Sequence, residues 1–211
     1  MNLIDLLIKE GWLKTPRIIE AFRKIRRVDF LPEEMRDLAE MNEALPIGFG
    51  QTISQPLVVA FMLELLEPQE GEKILDVGSG SGWTSALLAE IVGSKGKIIA
   101  VEVVPELKEF GEKNIAKYDF LKESRVEIIC ADGSKGYPNY AARSELAEGF
   151  DKILASATAL GLPKPWEEQL KIGGKIVVPI GNSIWRFTKK NKKEFTKEEY
   201  PGFIFVPLIT E

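Results

Sequence analysis

Lys73-Ile74-Leu75-Asp76-Val77-Gly78-Ser79-Gly80-Ser81-Gly82-Trp83 is the stretch that decides the fold. A short apolar run leads straight into glycines at alternate positions, and apolar residues then recur at helical spacing as far as Val92. That reads as a buried strand, a tight turn and a helix. The alternation continues outward. Lys97 to Val101 reads as a strand, Pro105 to Lys117 as a helix, Arg125 to Cys130 and Phe150 to Ala155 as strands, and Pro165 to Leu170 as a helix closed by Gly173-Gly174. Lys175 to Pro179 is the next strand. Strands alternating with helices imply an α/β fold, a doubly wound, mostly parallel Rossmann-like sheet with right-handed crossovers. Ser183 to Lys189 and Gly202 to Leu208 flank a lysine-rich turn and read as a C-terminal antiparallel strand pair at the sheet edge.

The residues before Lys73 read as helical. Leu3, Leu6 and Leu7 recur at helical spacing up to Gly11, and Thr15-Pro16 is an N-cap with an N1 proline ahead of Ile18, Ile19, Phe22 and Ile25. Phe30-Leu31-Pro32 ends that unit and opens a short helix through Leu38. We expect a single domain over 1–211, with an N-terminal helical cap and acceptor loop at 1–54, a cofactor-binding α/β core at 55–181 and the strand pair at 182–211.

Composition narrows the chemistry. A formal charge of −4 and a pI near 5.3 argue against nucleic acid as the main ligand. Lys189, Lys190, Lys192 and Lys193 read as a solvated hairpin turn. No stretch reaches the roughly 20 apolar residues of a membrane span, since Glu64 interrupts Leu57 to Leu66. Met1 to Gly11 carries Asp5, Lys9 and Glu10 and lacks a signal-peptide layout, so a cytoplasmic protein is expected. The single Cys130 excludes an internal disulfide and reads as a small buried hydrophobe. Histidine is absent, which removes the usual general base, the serine-protease type of triad and nearly all zinc catalysis.

Two segments carry the candidate site. Gly48-Phe49-Gly50-Gln51-Thr52-Ile53-Ser54-Gln55-Pro56 puts two hydroxyls and two amides in a glycine-flanked turn. It can hold a small anion through Thr52, Ser54 and nearby N–H groups, or it is a helix start with Ser54 as N-cap and Pro56 in the first turn. Both can hold, because a capped helix N-terminus is itself an anion site. The other segment is Gly78-Ser79-Gly80-Ser81-Gly82, at the carboxyl end of the first sheet strand, where such folds bind ligands. Its spacing is not that of the dinucleotide fingerprint, whose third glycine would fall where Trp83 stands, and no lysine follows it as in a nucleoside-triphosphate loop. Glycines in the G-x-G-x-G pattern after an acidic strand end are typical of class I methyltransferases that bind S-adenosyl-L-methionine.

The acids fit that pattern. Glu102 ends the next strand about twenty residues on, where a carboxylate can accept both ribose hydroxyls. Asp132 ends the third and either accepts from the adenine amino group or makes an Asx-type turn before Gly133. Asp76, inside an apolar strand, either caps the glycine loop or meets the ammonium of the methionine part.

Together these residues resemble the protein-L-isoaspartate (D-aspartate) O-methyltransferase family, from about Arg26 to Leu208. The likeness is carried by Leu45-Pro46-Ile47-Gly48, by Gly50 to Pro56, by Asp76 to Gly82, by Gln169-Leu170 with Gly173-Gly174, by Val178-Pro179-Ile180-Gly181 and by Phe205-Val206-Pro207-Leu208. It implies a repair enzyme that moves a methyl group from S-adenosyl-L-methionine to the α-carboxylate of L-isoaspartyl residues, leaving S-adenosyl-L-homocysteine and using no metal. Ser54 and Thr52 are then the catalytic residues, as orienting hydrogen-bond donors. Asp76, Gly78, Ser79, Gly80, Gly82, Glu102, Asp132 and Gly133 bind the cofactor, and Gln51, Ile53, Ser156 and Thr158 lie on the substrate side. A carboxylate with an ordinary pKa of about 3.5 to 4 is already a nucleophile at neutral pH, so a missing histidine costs this reaction nothing.

The chain departs from the family in three places. Trp83 stands where tyrosine is common, Ser156-Ala157-Thr158-Ala159-Leu160 replaces a Thr-Ala-Ala segment followed by proline, and a tyrosine expected near Glu40-Met41 is missing. Two other readings remain open at this point: a methyltransferase with another small-molecule or protein acceptor, and an inactive cofactor-binding adaptor. The expected partners are isoaspartyl proteins and peptides, with no nucleic acid and no membrane, and the chain is expected to act as a monomer.

Overall fold

A computed structural model describes residues 2–138, 146 and 148–210. Helices α1 (Leu3–Lys9) and α2 (Pro16–Lys24) come first, followed by 3-10 turns at Arg27–Phe30 and Glu33–Leu38. A small hairpin, β1 (Leu45–Gly48) and β2 (Gln51–Ile53), then leads into α3 (Pro56–Leu66). The main alternation is β3 (Lys73–Val77), α4 (Trp83–Val92), β4 (Lys97–Glu102), α5 (Pro105–Ile115), β5 (Val126–Cys130), β6 (Phe150–Ala155), α6 (Lys164–Gln169) and β7 (Leu170–Ile180). It ends in β8 (Ser183–Lys189) and β9 (Phe195–Pro201). The seven-stranded sheet has the order β5-β4-β3-β6-β7-β8-β9, parallel through β7 and antiparallel beyond it.

Strand periodicity divides the core into two. Ile74, Ile98, Ala100, Leu154 and Val177 face the helices α1 to α5, while Leu75, Val77, Ile99, Val101 and Ile153 face the opposite side, around Trp166 and Phe150. Both faces of the central strands are therefore buried, as a parallel sheet with helical crossovers requires. Glu64, the acid that interrupts the apolar run of α3, ties the N-terminal helices to the rest. Its carboxylate accepts from the Lys14 and Thr15 N–H groups, both at 2.8 Å, and from the Thr15 hydroxyl at 2.7 Å.

Several expectations change. The turn before α3 is part of a β-hairpin, and Ser54 is not the N-cap: Gln55 takes that position without a side-chain cap, and Asn42 Oδ1 accepts from the Leu57 N–H at 3.0 Å. A distant residue thus satisfies the helix start that the local sequence leaves open. Gly173-Gly174 does not close α6. Both glycines lie within β7, where residues 171–174 bulge opposite Asp151, and a Cβ on Gly174 would come 2.8 Å from the Asp151 carbonyl oxygen. Instead, Lys189 serves the end of α6, its Nζ donating to the carbonyls of Glu167 and, at 2.6 Å, Leu170. Lys189 is accordingly buried, whereas Lys190, Lys192 and Lys193 are exposed on the turn.

The partner of β8 is 195–201 rather than 202–208. The former is exposed at Thr196, Lys197, Glu199 and Pro201 and half-buried at Phe195, Glu198 and Tyr200, which suits an edge strand, and the more apolar segment after it is drawn to the site instead. Cys130 is exposed, because it stands at the open carboxyl end of β5.

The glycine loop is fixed by close packing on α5. Gly82 (φ +85°) has no room for a Cβ, which would fall 2.9 Å from Ile115, and a Cβ on Gly111 would fall 2.9 Å from the Gly80 carbonyl oxygen. In an ordinary helix interior, Gly→Ala stabilises by about 1 kcal/mol. Here Gly111→Ala is expected to do the reverse, destabilising by about 1 to 3 kcal/mol because neither the loop backbone nor the helix can yield. Denaturant unfolding of the purified variant against the parent protein measures this.

Candidate active site

The cavity forms where the strand order reverses, since β4 and β5 lie on one side of β3 and β6 and β7 on the other. Val77 and Ala155 pair in register, so Gly78 and Ser156 leave the sheet side by side. Ser156 N–H donates to the Val77 carbonyl at 3.0 Å, and the Gly78 and Ser79 N–H groups donate to the Val101 carbonyl at 2.8 and 3.2 Å. Glu102 is buried at the end of β4 and binds two loops together: Oε2 accepts from Gly80 N–H at 2.8 Å and Oε1 from Val104 N–H at 3.0 Å. An ionised carboxylate has about four acceptor sites, so each oxygen still has capacity for a hydroxyl from a ligand.

Behind the loop, Asp76 is fully buried. Its Oδ2 accepts from Ser85 Oγ at 2.6 Å, while Oδ1 has no partner among the described residues; the buried Ser79 hydroxyl has none either. Burial pushes the Asp76 carboxyl up to about 7, with the Ser85 hydrogen bond opposing the shift and the Glu102 charge adding to it. Two buried polar atoms left unpaired at a glycine loop are costly unless a ligand or solvent meets them.

The β1–β2 hairpin supplies the facing wall. Its turn runs through Gly48, Phe49 and Gly50, all at positive φ, and Ile47 packs within 3.3 Å of where a Gly80 Cβ would stand, which joins hairpin to glycine loop. Gln51, Thr52, Ile53 and Ser54 all line the cavity. The chain end closes the third side. Thr158 N–H donates to the Val206 carbonyl and Leu208 N–H to the Thr158 carbonyl, both at 2.9 Å, bringing Val206, Pro207 and Leu208 to the rim. A second depression opens beyond it, floored by Val58 and Phe205, and it shares Thr52, Ser54, Ser156 and Val206 with the first.

Of the residues singled out in the sequence, Gly78, Ser79, Gly80, Glu102 and Gly133 line the same cavity as Gln51, Thr52, Ile53, Ser54 and Ser156. Four others do not. Asp76 and Gly82 lie behind the loop, as the packing above explains. Asp132 caps the turn that follows it: Oδ1 accepts from Ser134 N–H at 2.9 Å and Ser134 Oγ at 2.6 Å, and Oδ2 pairs with Lys135 at 3.2 Å. Thr158 holds the chain end, with its hydroxyl 3.4 Å from the Gly181 carbonyl. Sequence reasoning missed the walls formed by Val206, Pro207 and Leu208. An apolar run following a charged edge strand was the available signal, because such a run must find cover elsewhere.

Comparison with known proteins agrees with this fold. The family model for protein-L-isoaspartate(D-aspartate) O-methyltransferase matches residues 1–211. The protein-L-isoaspartate O-methyltransferase of Methanopyrus kandleri is 41% identical, covering 100% of this chain and 91% of its own, and that of Aeropyrum pernix is 41% identical, covering 100% and 79%. A Plasmodium falciparum structure described as a protein-L-isoaspartate O-methyltransferase, in complex with S-adenosyl-L-homocysteine, superposes with a TM-score of 0.88 at 25% identity over 100% of both chains. Matched from end to end in sequence and fold, the chain belongs to the protein-L-isoaspartate(D-aspartate) O-methyltransferase family.

Proposed function

We propose that this chain repairs ageing proteins by methylating the α-carboxylate of L-isoaspartyl residues with S-adenosyl-L-methionine. The observation that carries the reading is the lining of the cavity and the adjoining groove, where Glu102 is the one acidic or basic side chain among the described residues. Both Glu102 oxygens already accept N–H bonds, so it is poorly placed to take a proton. An amine or hydroxyl acceptor would need a base, whereas a carboxylate needs none. That favours the carboxyl acceptor over the other methyl-transfer chemistries.

The residues fit the cofactor. Glu102 has acceptor capacity for ribose hydroxyls, and the Ser79 hydroxyl on the cavity lining, buried and without a partner among the described residues, suits a ligand that carries hydrogen-bonding groups. S-adenosyl-L-methionine supplies the electrophilic methyl group and the positive charge beside it. Ser54 and Thr52 orient the acceptor carboxylate, and the groove shared by Thr52, Ser54, Ser156 and Val206 holds the flanking peptide. Removing a carboxylate from water costs several kcal/mol, and each hydroxyl donated to it returns about 1.5 to 3 kcal/mol. No imidazole or metal ligand is required of the chain at any of these points. The partners are isoaspartyl proteins and peptides, and the compartment proposed is the cytoplasm; among the described residues no helix is long and apolar enough to cross a membrane.

Ser54→Ala is expected to lower kcat on an isoaspartyl peptide by about 10- to 100-fold while leaving S-adenosyl-L-homocysteine affinity nearly intact. Base-labile transfer of a labelled methyl group, run beside the same peptide with an ordinary aspartyl linkage, reads both the rate and the specificity. Label on neither peptide would refute the proposed activity. Glu102→Ala is expected to weaken S-adenosyl-L-homocysteine binding by calorimetry; unchanged affinity would remove Glu102 from the ribose.

Asp76 makes a pH-dependent prediction. Its folded pKa of about 7 lies above the unfolded value of 3.8, so the ligand-free protein holds an extra proton between them and loses stability as pH rises through that window. Asp76→Asn removes the penalty. It is expected to exceed the parent in stability at pH 8 by on the order of a few kcal/mol and to match it near pH 4, as measured by denaturant unfolding.

A further inference from the structure

Arg27 is a buried cation that the roles above leave unexplained. It opens the 3-10 turn Arg27–Phe30, is 7% exposed, and among the described residues no carboxylate hydrogen-bonds to it. Its terminal N–H groups go instead to four backbone carbonyls. Nη1 donates to Ala39 at 3.2 Å and Met41 at 3.0 Å, and Nη2 to Glu43 at 2.7 Å and Ser54 at 3.3 Å. The guanidinium lies over the Trp83 ring, 5.5 Å from its centroid, and Trp83 is a wall of the cofactor cavity. One side chain therefore touches the strap at 39–43, the backbone of the proposed orienting donor Ser54 and the cavity wall.

Holding a desolvated charge this way is expensive, and an apolar side chain of similar length could fill the space at lower cost. A rigid planar fork can satisfy four carbonyls arriving from two chain segments at once; a flexible ammonium with three donors cannot. The local sequence offers the Ser54 carbonyl no other anchor, since α3 is capped by Asn42 and its N-cap residue Gln55 donates to the Asn42 carbonyl at 2.8 Å. We propose that Arg27 is a positioning residue for methyl transfer: by fixing the Ser54 carbonyl against the Trp83 wall, it sets where the Ser54 hydroxyl meets the acceptor. This rests on the reading of Ser54 as the donor that orients the acceptor carboxylate.

The test uses the full chain and a peptide with a single L-isoaspartyl linkage, with rates expressed per molecule able to bind S-adenosyl-L-homocysteine. Arg27→Met is expected to lower kcat/KM for the peptide by 10- to 100-fold, and Arg27→Lys by 3- to 30-fold, with S-adenosyl-L-homocysteine Kd changed less than threefold in each. Tyr118→Phe is the control for stability alone: it removes a 2.7 Å bond to Asp29 and the acceptor of the Arg26 N–H at 2.9 Å, beside Arg27, without touching its guanidinium, and is expected to lower Tm with peptide KM and kcat unchanged. Arg27→Lys keeps the buried charge, so it carries the test if Arg27→Met does not fold. In the Ser54→Ala background, Arg27→Lys is expected to cost less than threefold. An equal loss in both backgrounds, or peptide kinetics within twofold of the parent for Arg27→Lys, overturns the proposal. A Ser54→Ala variant with parental turnover overturns the assignment of Ser54 instead.

Discussion

The structure depends on how closely the glycine loop can approach α5. The Gly80 carbonyl oxygen lies 2.9 Å from where a Cβ on Gly111 would stand, and Gly82 is hemmed in by Ile115 and the Gly111 carbonyl, so a helix and a strand-end turn meet with no side chain between them. Only that contact lets α4 begin at Trp83 and places the loop across the end of β3. Other parts of the site take their positions from it. Glu102 reaches Gly80 N–H, Ile47 of the hairpin rests beside Gly80, and Trp83 stands between the cavity and Arg27. A shift of the loop by one side-chain width would separate the hairpin wall of the cavity from the glycine-loop wall.

The polar groups around the cavity divide into those that build it and those left for a ligand. Asp132 spends its carboxylate on the turn after β5, and Thr158 spends its backbone on the chain end. Glu102 does both, holding two loops while retaining acceptor capacity. Ser79 is the reverse case, since its buried hydroxyl lies on the cavity lining and has no partner among the described residues. In a dry interior such an atom is costly, and its persistence in a glycine loop is easiest to understand as preparation for a polar ligand. Among the described residues the groove beside the hairpin has no charged side chain, which suits a reaction whose nucleophile arrives already ionised.

The N-terminal residues are less a separate cap than a brace. Glu64 binds the start of α2 to α3, Asn42 caps α3, and Arg27 binds the strap at 39–43 to Ser54. Each contact joins segments far apart in the chain, and each supplies a hydrogen-bonding group that the local sequence lacks. The segment carrying Thr52 and Ser54 thus owes its conformation to residues before it and to the sheet behind it.

Much of this was legible beforehand. The strand, turn and helix from Lys73 to Val92, the parallel order that follows and the antiparallel edge come from hydrophobic period and glycine placement, which act locally and leave a regular trace. The absence of histidine and the acid at the end of β4 already narrowed the chemistry. The trace fails wherever a group is satisfied from a distance: Asn42 rather than Ser54 caps α3, the sheet rather than a helix end takes Gly173-Gly174, and the last strand is 195–201 because 203–208, for no reason that its own sequence shows, is needed at the rim. Sequence by itself determined the periodic elements, the family and the residue types at the site. Tertiary structure alone decided which acids spend their lone pairs on the protein and which keep acceptor capacity, because a carboxylate's free lone pairs depend on neighbours brought from other parts of the chain.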